Sequence, residues 1–320
     1  MNLFQIGEMG LIEKLKKKVK LYNKEVVVGI GDDTAVIKKN NDTYYLMTTD
    51  SMLEKVHFFQ DTNPFLLGKK AVNINISDIA SMGGIPKYIL LSLGMPKNTS
   101  LKWIKKFQKG IFDVCEQHQI DLIGGDLFNS SKITIVLMMV GEVKKKYLCL
   151  RTKTSPEDLI LTTGTLGDSK FGLEILQKKQ QIKETKAKNF FINKHLNPIA
   201  RLKEAKILSQ SKCLTTLTDL SDGLSKGLKI MANSNKVDLK INLDKIPISS
   251  YLKKYSKDNA NYFALIGGED YELLFTIKSS SYENFKKYCQ KTKITSTVIG
   301  EVIKGKGNIY IIDKNKKKTA

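Results

Sequence analysis

Hydrophobic positions along the chain fall into short blocks of two periods, and the blocks alternate. Apolar runs rich in Val, Ile, Leu, Tyr and Thr predict strands over 26–30, 43–49, 88–95, 120–123 and 133–143. Between them, apolar residues three and four apart predict helices over 7–20, 66–82 and 100–117, the first with a basic face. After a turn at Ser155-Pro156-Glu157-Asp158 the pattern resumes. Strands are predicted over 159–163, 214–218, 271–277, 296–302 and 308–312. Helices are predicted from Gly164-Thr165-Leu166-Gly167-Asp168 through 176, over 198–209 with Pro198 in the first turn, and from Asp222-Gly223 to 233. The stretch 178–193 is polar and reads as a surface excursion.

Strands and helices interleave without a strict βαβ rhythm, so the expected fold class is α+β, or mixed α/β. A chain of 320 residues allows two domains. A boundary near Lys146 would divide 1–146 from 147–320. No apolar run approaches the roughly 18 residues of a membrane helix. Residues 1–11 carry Glu8 and no basic-then-apolar targeting pattern. Cys115, Cys149, Cys213 and Cys289 are far apart, with no Cys-x-x-Cys, so neither a zinc site nor a redox pair is indicated and a reducing cytoplasm is expected.

Charge changes the picture less than its size suggests. Lys plus Arg number 53 against 32 Asp plus Glu, a net charge of +21. The lysine runs at 16–18, 144–146 and 316–318 are separated and lack interleaved aromatics. They read as compositional drift, and nucleic-acid binding is not expected as the main function. Arginine survives only at Arg151 and Arg201. Its planar fork cannot be replaced by an ammonium.

Against that basic background, the scarce acids gather beside Gly, Ser and Thr at strand ends and turns. They are Asp32 and Asp33, Asp50 after Thr48-Thr49, Asp78, Asp126 after Gly124-Gly125, and Asp219 and Asp222. Such carboxylates suit a hard divalent cation shared with phosphate, and several together suggest nucleotide chemistry. Each alone could be an Asx turn or a cap. Asn73, Asn75, Ser77 and Asp78 on an apolar helix are costly to bury unless satisfied, which points to a lined cleft. Asp219-Leu220-Ser221-Asp222-Gly223 opens a helix whose amides favour an anion, with Ser221 or Asp222 as a plain N-cap the alternative. Gly267-Gly268-Glu269-Asp270-Tyr271-Glu272 is an acidic loop fit for a cationic group, a metal or a simple turn. His57, among aromatics, reads locally as a packing residue. No phosphate-binding P-loop, kinase catalytic loop or Ser-His-Asp order is present.

Taken in order, these motifs carry a resemblance. Gly29-Ile30-Gly31-Asp32-Asp33, Thr48-Thr49-Asp50, Asn73-Ile74-Asn75-Ile76-Ser77-Asp78, Gly124-Gly125-Asp126, Gly164-Thr165-Leu166-Gly167-Asp168-Ser169, Asp219-Leu220-Ser221-Asp222-Gly223 and the Gly267–Glu272 loop resemble those of the thiamine-monophosphate kinase family. That family lies within the superfamily of aminoimidazole ribonucleotide synthetase and selenophosphate synthetase. The resemblance implies ATP-dependent phosphorylation of thiamine monophosphate to thiamine diphosphate in a cytoplasmic homodimer, with paired N-terminal domains forming a barrel. It implies Mg²⁺ at Asp33, Thr48, Thr49, Asp50, Asp78, Asp126, Asp219 and Asp222. ATP phosphates are implied at Gly125, Asp126, Arg151 and Ser221, and the acceptor at His57 and Glu269. One departure stands at 313–320, which lacks the aromatic, His-containing tail usual in the family. The implied reaction needs no protein base or nucleophile, because its acceptor is an already ionised phosphate. It needs neutralisation of two mutually repelling anions.

Overall fold

The computed structural model describes residues 3–313 and 316–319. The chain starts with helix α1 (Leu3–Lys18), kinked at Gly7, and then builds a six-stranded sheet. Its strands are β1 (Val26–Val28), β2 (Ala35–Lys38), β3 (Thr43–Leu53), β4 (Ile85–Met95), β5 (Asp121–Asn129) and β6 (Thr134–Lys144). Two helices connect them, α2 (Pro64–Ser81) and α3 (Leu101–His118). The spatial order is β1-β2-β3-β6-β4-β5, antiparallel except for the β4–β5 pair.

Helix α2 forms because Asn63 caps it, accepting the Phe65 N–H at 3.0 Å, and Pro64 supplies a preset first turn. It is buried nearly all round, polar positions included, because it is covered on most sides. Val72, Ile76 and Ile79 are fully buried, each contributing about 1.5–3 kcal/mol. It crosses α3 with backbones in contact. A Cβ at Gly68 would lie 2.2 Å from the Phe107 carbonyl, and one at Gly110 2.0 Å from that of Phe65. Asn73 and Asn75 do not line a cleft; their amides donate back to the Lys69 and Ala71 carbonyls, both at 3.1 Å.

The second sheet has seven strands: β7 (Leu159–Thr163), β8 (Leu214–Asp219), β9 (Val237–Asn242), β10 (Leu273–Ile277), β11 (Ser296–Lys304), β12 (Ile309–Asp313) and β13 (Lys316–Thr319). Their order is β13-β12-β9-β11-β7-β10-β8. Around them lie α4 (Asp168–Leu176), α5 (Thr185–Leu196), α6 (Leu202–Gln210), α7 (Leu224–Asn235), α8 (Ser250–Tyr255), α9 (Ala260–Ile266) and α10 (Tyr282–Thr292). The architecture is mixed α/β in two domains, and α2 packs against α5, α6 and β8 of the second.

Several expectations are corrected. The polar excursion over 178–193 contains α5, whose buried stripe is only Ala187, Phe191 and His195, four residues apart. That stripe is too narrow to stand out among its Lys and Asn neighbours. Helix α10 hides for the same reason, burying Phe285 and Cys289 alone. Strands β2 and β9 and helices α8 and α9 are too short for a periodic signal. Helix α6 begins at Leu202, not at Pro198, because the Arg201 backbone before it is non-helical, at ψ 44°. Gly124-Gly125-Asp126 lies inside β5 rather than at a turn, and β10 starts at Leu273, after a loop with left-handed residues. The departure at 313–320 lies outside the described residues beyond Asp313, apart from the backbone of β13.

Candidate active site

Where the C-terminal half of α2 meets the middle of β3 and the end of β8, three carboxylates converge. Asp33, Asp78 and Asp219 each offer an oxygen, and these oxygens lie within 4.8 Å of one another. Asp33 follows the turn after β1, Asp78 stands on α2 and Asp219 ends β8. Each accepts a hydroxyl: Ser81 Oγ donates to Asp33 at 2.8 Å, Thr48 Oγ1 to Asp78 at 2.6 Å and Ser77 Oγ to Asp219 at 2.6 Å. Ser221 Oγ reaches the other Asp219 oxygen at 3.4 Å.

The environment disfavours negative charge on Asp78 and Asp219. Burial, then Asp33, pushes Asp219 up to about 7. Burial, then Asp219, Asp50 and Asp33, puts Asp78 well above the ordinary carboxylate range. Asp32 rises to about 6 through burial and its neighbour Asp33, and Asp50 rises through burial and Asp222, with His57 opposing. Several anions are thus crowded into a dry space, an arrangement that a hard cation would relieve. The buried Thr34 hydroxyl beside them has no hydrogen-bond partner. All-oxygen donors, excess negative charge and an orphan hydroxyl fit Mg²⁺.

One cation is built in. Arg151 pairs with Asp33, donates from Nε to Thr218 Oγ1 at 3.3 Å, and donates from its own backbone N–H to Asp32 at 3.1 Å. Burial disfavours the guanidinium charge, yet Asp33 and Asp32 raise its pKa regardless. A cleft of about 680 Å³ opens here, lined by Gly31, Asp33, Thr48, Thr49, Arg151 and Asp222.

Thr48 and Asp50 stand beside the trio, and other expected residues lie farther off. Strand alternation puts Thr48 and Asp50 on the face of β3 that carries buried Tyr44, Leu46 and Met52, and Thr49 on the opposite face. Asp222 is exposed and pairs with Lys226 at 2.7 Å; neither it nor Ser221 caps α7, whose N-cap is Gly223. Gly125 and Asp126 lie on β5, exposed along its whole length. Between β5 and β3 stand β4 and β6, so Asp126 is three strand spacings, roughly 14 Å, from the row of Asp50.

His57 is exposed and its Nδ1 accepts the Leu53 N–H at 3.0 Å, which assigns the ring proton to Nε2. Glu269 pairs with Lys70 at 3.1 Å and His195 at 3.0 Å. Burial alone would raise its carboxyl, but Lys70 and His195 hold it down at about 2. The adjacent acids are structural. Asp270 accepts the Gly167 and Ser169 N–H groups at 2.6 and 3.1 Å, securing the start of α4. Glu272 is fully buried, accepts Thr163 Oγ1 at 2.7 Å and takes both arms of the Arg201 fork. That pairing explains the second arginine. Lys70, His195 and Thr218 went unread in the sequence. The one available signal was Lys70 itself, which must be partnered if the helix carrying it is buried.

The family model described as AIR synthase related protein, N-terminal domain, matches residues 31–143, and its C-terminal counterpart matches 155–313. A thiamine-monophosphate kinase of Buchnera aphidicola (subspecies Acyrthosiphon pisum) is 38% identical over 97% of this chain and 95% of its own. A solved complex described as AaThiL with AMPPCP and TMP superimposes with a TM-score of 0.86 at 34% identity, covering 99% of this chain and 96% of that one. Thiamine monophosphate kinase of Aquifex aeolicus gives 0.82 at 32% identity, with both chains covered in full. Similarity over nearly the whole length, through both domains, means that the chain belongs to the thiamine-monophosphate kinase family.

Proposed function

We propose that the chain transfers the γ-phosphoryl group of ATP to thiamine monophosphate. The β–γ P–O bond breaks, a new P–O bond forms to the acceptor phosphate, and ADP and thiamine diphosphate leave. The observation that carries this reading is the convergence of Asp33, Asp78 and Asp219 beside Arg151 in one cleft. Like-charged phosphates cannot approach each other without compensation, and a base-free, carboxylate-rich site is suited to supplying it through cations. Mg²⁺ is the expected ion, held by Asp33, Asp78 and Asp219 with Thr48, Thr49, Asp50, Asp126 and Asp222 around them. When bound, it would neutralise phosphate charge. Arg151, with Gly125, Asp126 and Ser221, would orient ATP. His57 and Glu269 would meet the acceptor. Purified protein given ATP, Mg²⁺ and thiamine monophosphate should form thiamine diphosphate; failure, with turnover of another acceptor, would move it to a sister activity.

The working unit in this reading is a homodimer of two-domain chains divided near residue 146. Strand β5 ends the first sheet with an unpaired edge and exposes Ile123 (59%) and Leu127 (71%), a row that a second copy would cover. Pairing of the two sheets into a barrel would do so, and would carry Asp126 to the partner's carboxylates. Among the described residues no helix is long and apolar enough to cross a membrane. All four cysteines are free, which suits the cytoplasm.

A further inference from the structure

Glu269 is held by residues that no motif contains. Lys70, on α2, is 3% exposed, and its ammonium lies 3.1 Å from Glu269 Oε1 while donating to the His195 carbonyl at 3.2 Å. His195, near the end of α5, is also 3% exposed, with Nδ1 3.0 Å from Glu269 Oε2 and 3.2 Å from Ser169 Oγ. An ionised carboxylate only accepts, so the proton is assigned to Nδ1. The helper residues come from both domains, and Glu269 is where they meet.

The backbone is fixed as firmly. Glu269 and Tyr271 both adopt left-handed conformations, at φ +64° and +51°. The Glu269 N–H donates to the Ser221 carbonyl at 2.6 Å, and the Tyr271 N–H to that of Leu220 at 3.1 Å. The loop bearing Glu269 is thereby tied to the loop bearing Asp219 and Asp222. Strained non-glycine residues persist where surrounding contacts over-determine them, and they cluster at functional sites.

The pair is also lopsided. In the Arg201–Glu272 pair the acid is sealed and the guanidinium is the more open end. Here the ammonium is sealed while the Glu269 side chain stays 30% exposed. Lys70 and His195 cover one side of the carboxylate and leave the other open.

We infer that Lys70 and His195 are positioning residues for the acceptor, holding the open edge of Glu269 where it meets the cationic ring of thiamine monophosphate. This rests on the reading that Glu269 contacts the acceptor. Charge and geometry pull in opposite directions here. Removing Lys70 leaves a more negative site, which electrostatics alone would reward with a lower KM for a cation. Positioning requires a higher one.

The test compares Glu269→Gln, Lys70→Met, Lys70→Arg, His195→Gln and the double variant Lys70→Met/Glu269→Gln in steady-state assays with ATP and thiamine monophosphate. Lys70→Met and Glu269→Gln should each raise KM for thiamine monophosphate about tenfold, with KM for ATP changed less than about twofold. His195→Gln should raise it in the same selective way, and Lys70→Arg should restore most of the loss. The double variant should be no worse than Glu269→Gln alone, because Lys70 acts through Glu269. It removes both charges, so it reads the coupling even if Lys70→Met fails to fold. A lowered or unchanged KM in Lys70→Met, or losses that multiply to about a hundredfold in the double variant, overturns the inference. If Glu269→Gln raises KM but Lys70→Met and His195→Gln do not, only the positioning inference falls. If Glu269→Gln itself leaves KM unchanged, the underlying reading falls and the inference with it.

Discussion

Ser77 Oγ donates to Asp219 Oδ2 at 2.6 Å, and that bond joins the central helix of the first domain to the end of a strand in the second. It is one of three bonds of the same kind, with Ser81 to Asp33 and Thr48 to Asp78. A hydroxyl orients a carboxylate and favours its ionised form, but brings no positive charge. Of the trio, Asp33 alone has the Arg151 guanidinium in direct contact. The hydroxyls fix the direction of the acids and leave most of the charge to be met by an incoming cation.

Replacing Asp78 or Asp219 by Asn should therefore damage activity and spare the fold. The amide keeps the shape and removes one of several crowded charges. We expect kcat/KM to fall at least about a hundredfold, with metal-free melting temperature unchanged or higher. Near-wild-type turnover in both variants would sink the metal-site reading.

The same crowding predicts an unusual pH dependence. Asp219 titrates at about 7 in the folded protein, Asp32 at about 6, and Asp78 above the ordinary range. Unfolded, each returns to roughly 4. Between these values the folded state holds protons that the unfolded state has lost, so stability falls as pH rises. For Asp219 and Asp32 the contribution is full below about 4 and gone above about 7, and Asp78 adds to it in the same direction. Metal-free protein should melt at least about 3 °C higher at pH 5.5 than at pH 8, and Mg²⁺ should flatten or reverse that slope by taking the protons' place. A metal-free melting temperature that climbs with pH over this range contradicts it.

What the sequence revealed followed from how each signal is carried. The long strands and α2 and α3 repeat their apolar period several times, so they were legible. Helix α5 buries a single row and was not. Within the site, residue types pointed to metal and phosphate at separate motifs, yet no local pattern could say that Asp33, Asp78 and Asp219 share one spot. That depends on how α2 crosses the two sheets. Asp126 shows the converse. It sits in the same series of motifs, but sheet order places it elsewhere in a single chain. Lys70 and His195 were illegible because their importance lies in a buried pairing across 199 and 74 residues of chain, respectively, to Glu269.

Arg151 offers a test of fork geometry against bulk charge. Its guanidinium reaches both Asp33 and Thr218, which a single ammonium cannot do. Arg151→Lys keeps the net charge and should lower kcat/KM for ATP at least about tenfold, the equivalent of one lost charge-assisted bond of about 1.5–3 kcal/mol. Lys145→Arg, on the surface, should change little. Unaltered ATP kinetics in Arg151→Lys would mean that the fork is dispensable.

Arg201 has a different task. Its partner Glu272 is fully buried, so Arg201→Met strands an uncompensated charge in the core. The expected cost is about 3–5 kcal/mol in urea unfolding. Adding Glu272→Gln should recover a large part of it, since the amide needs no counter-charge. Arg201→Met with unchanged stability would show that the fork contributes nothing to folding.

The final prediction concerns Asp126. In one chain it lies on the far strand of the first sheet, roughly 14 Å from the row of Asp50, among exposed apolar side chains. If it serves the carboxylates at all, a second copy must present it. Two inactive variants then complement each other. Asp126→Asn lacks the donated carboxylate and Asp78→Asn lacks the receiving site, so each homodimer has two broken sites. A mixed dimer concentrates both defects in one site and leaves the other intact. Random remixing makes about half the dimers mixed, and half of their sites whole, so about a quarter of wild-type activity should return. Mixing without subunit exchange should restore none. If Asp126 acts within its own chain, every site of the mixed dimer carries one defect and remixing also restores nothing. Leu127→Glu, placed on the same edge to repel a second copy, should give a monomer by light scattering and abolish turnover; a fully active monomer would refute the shared site.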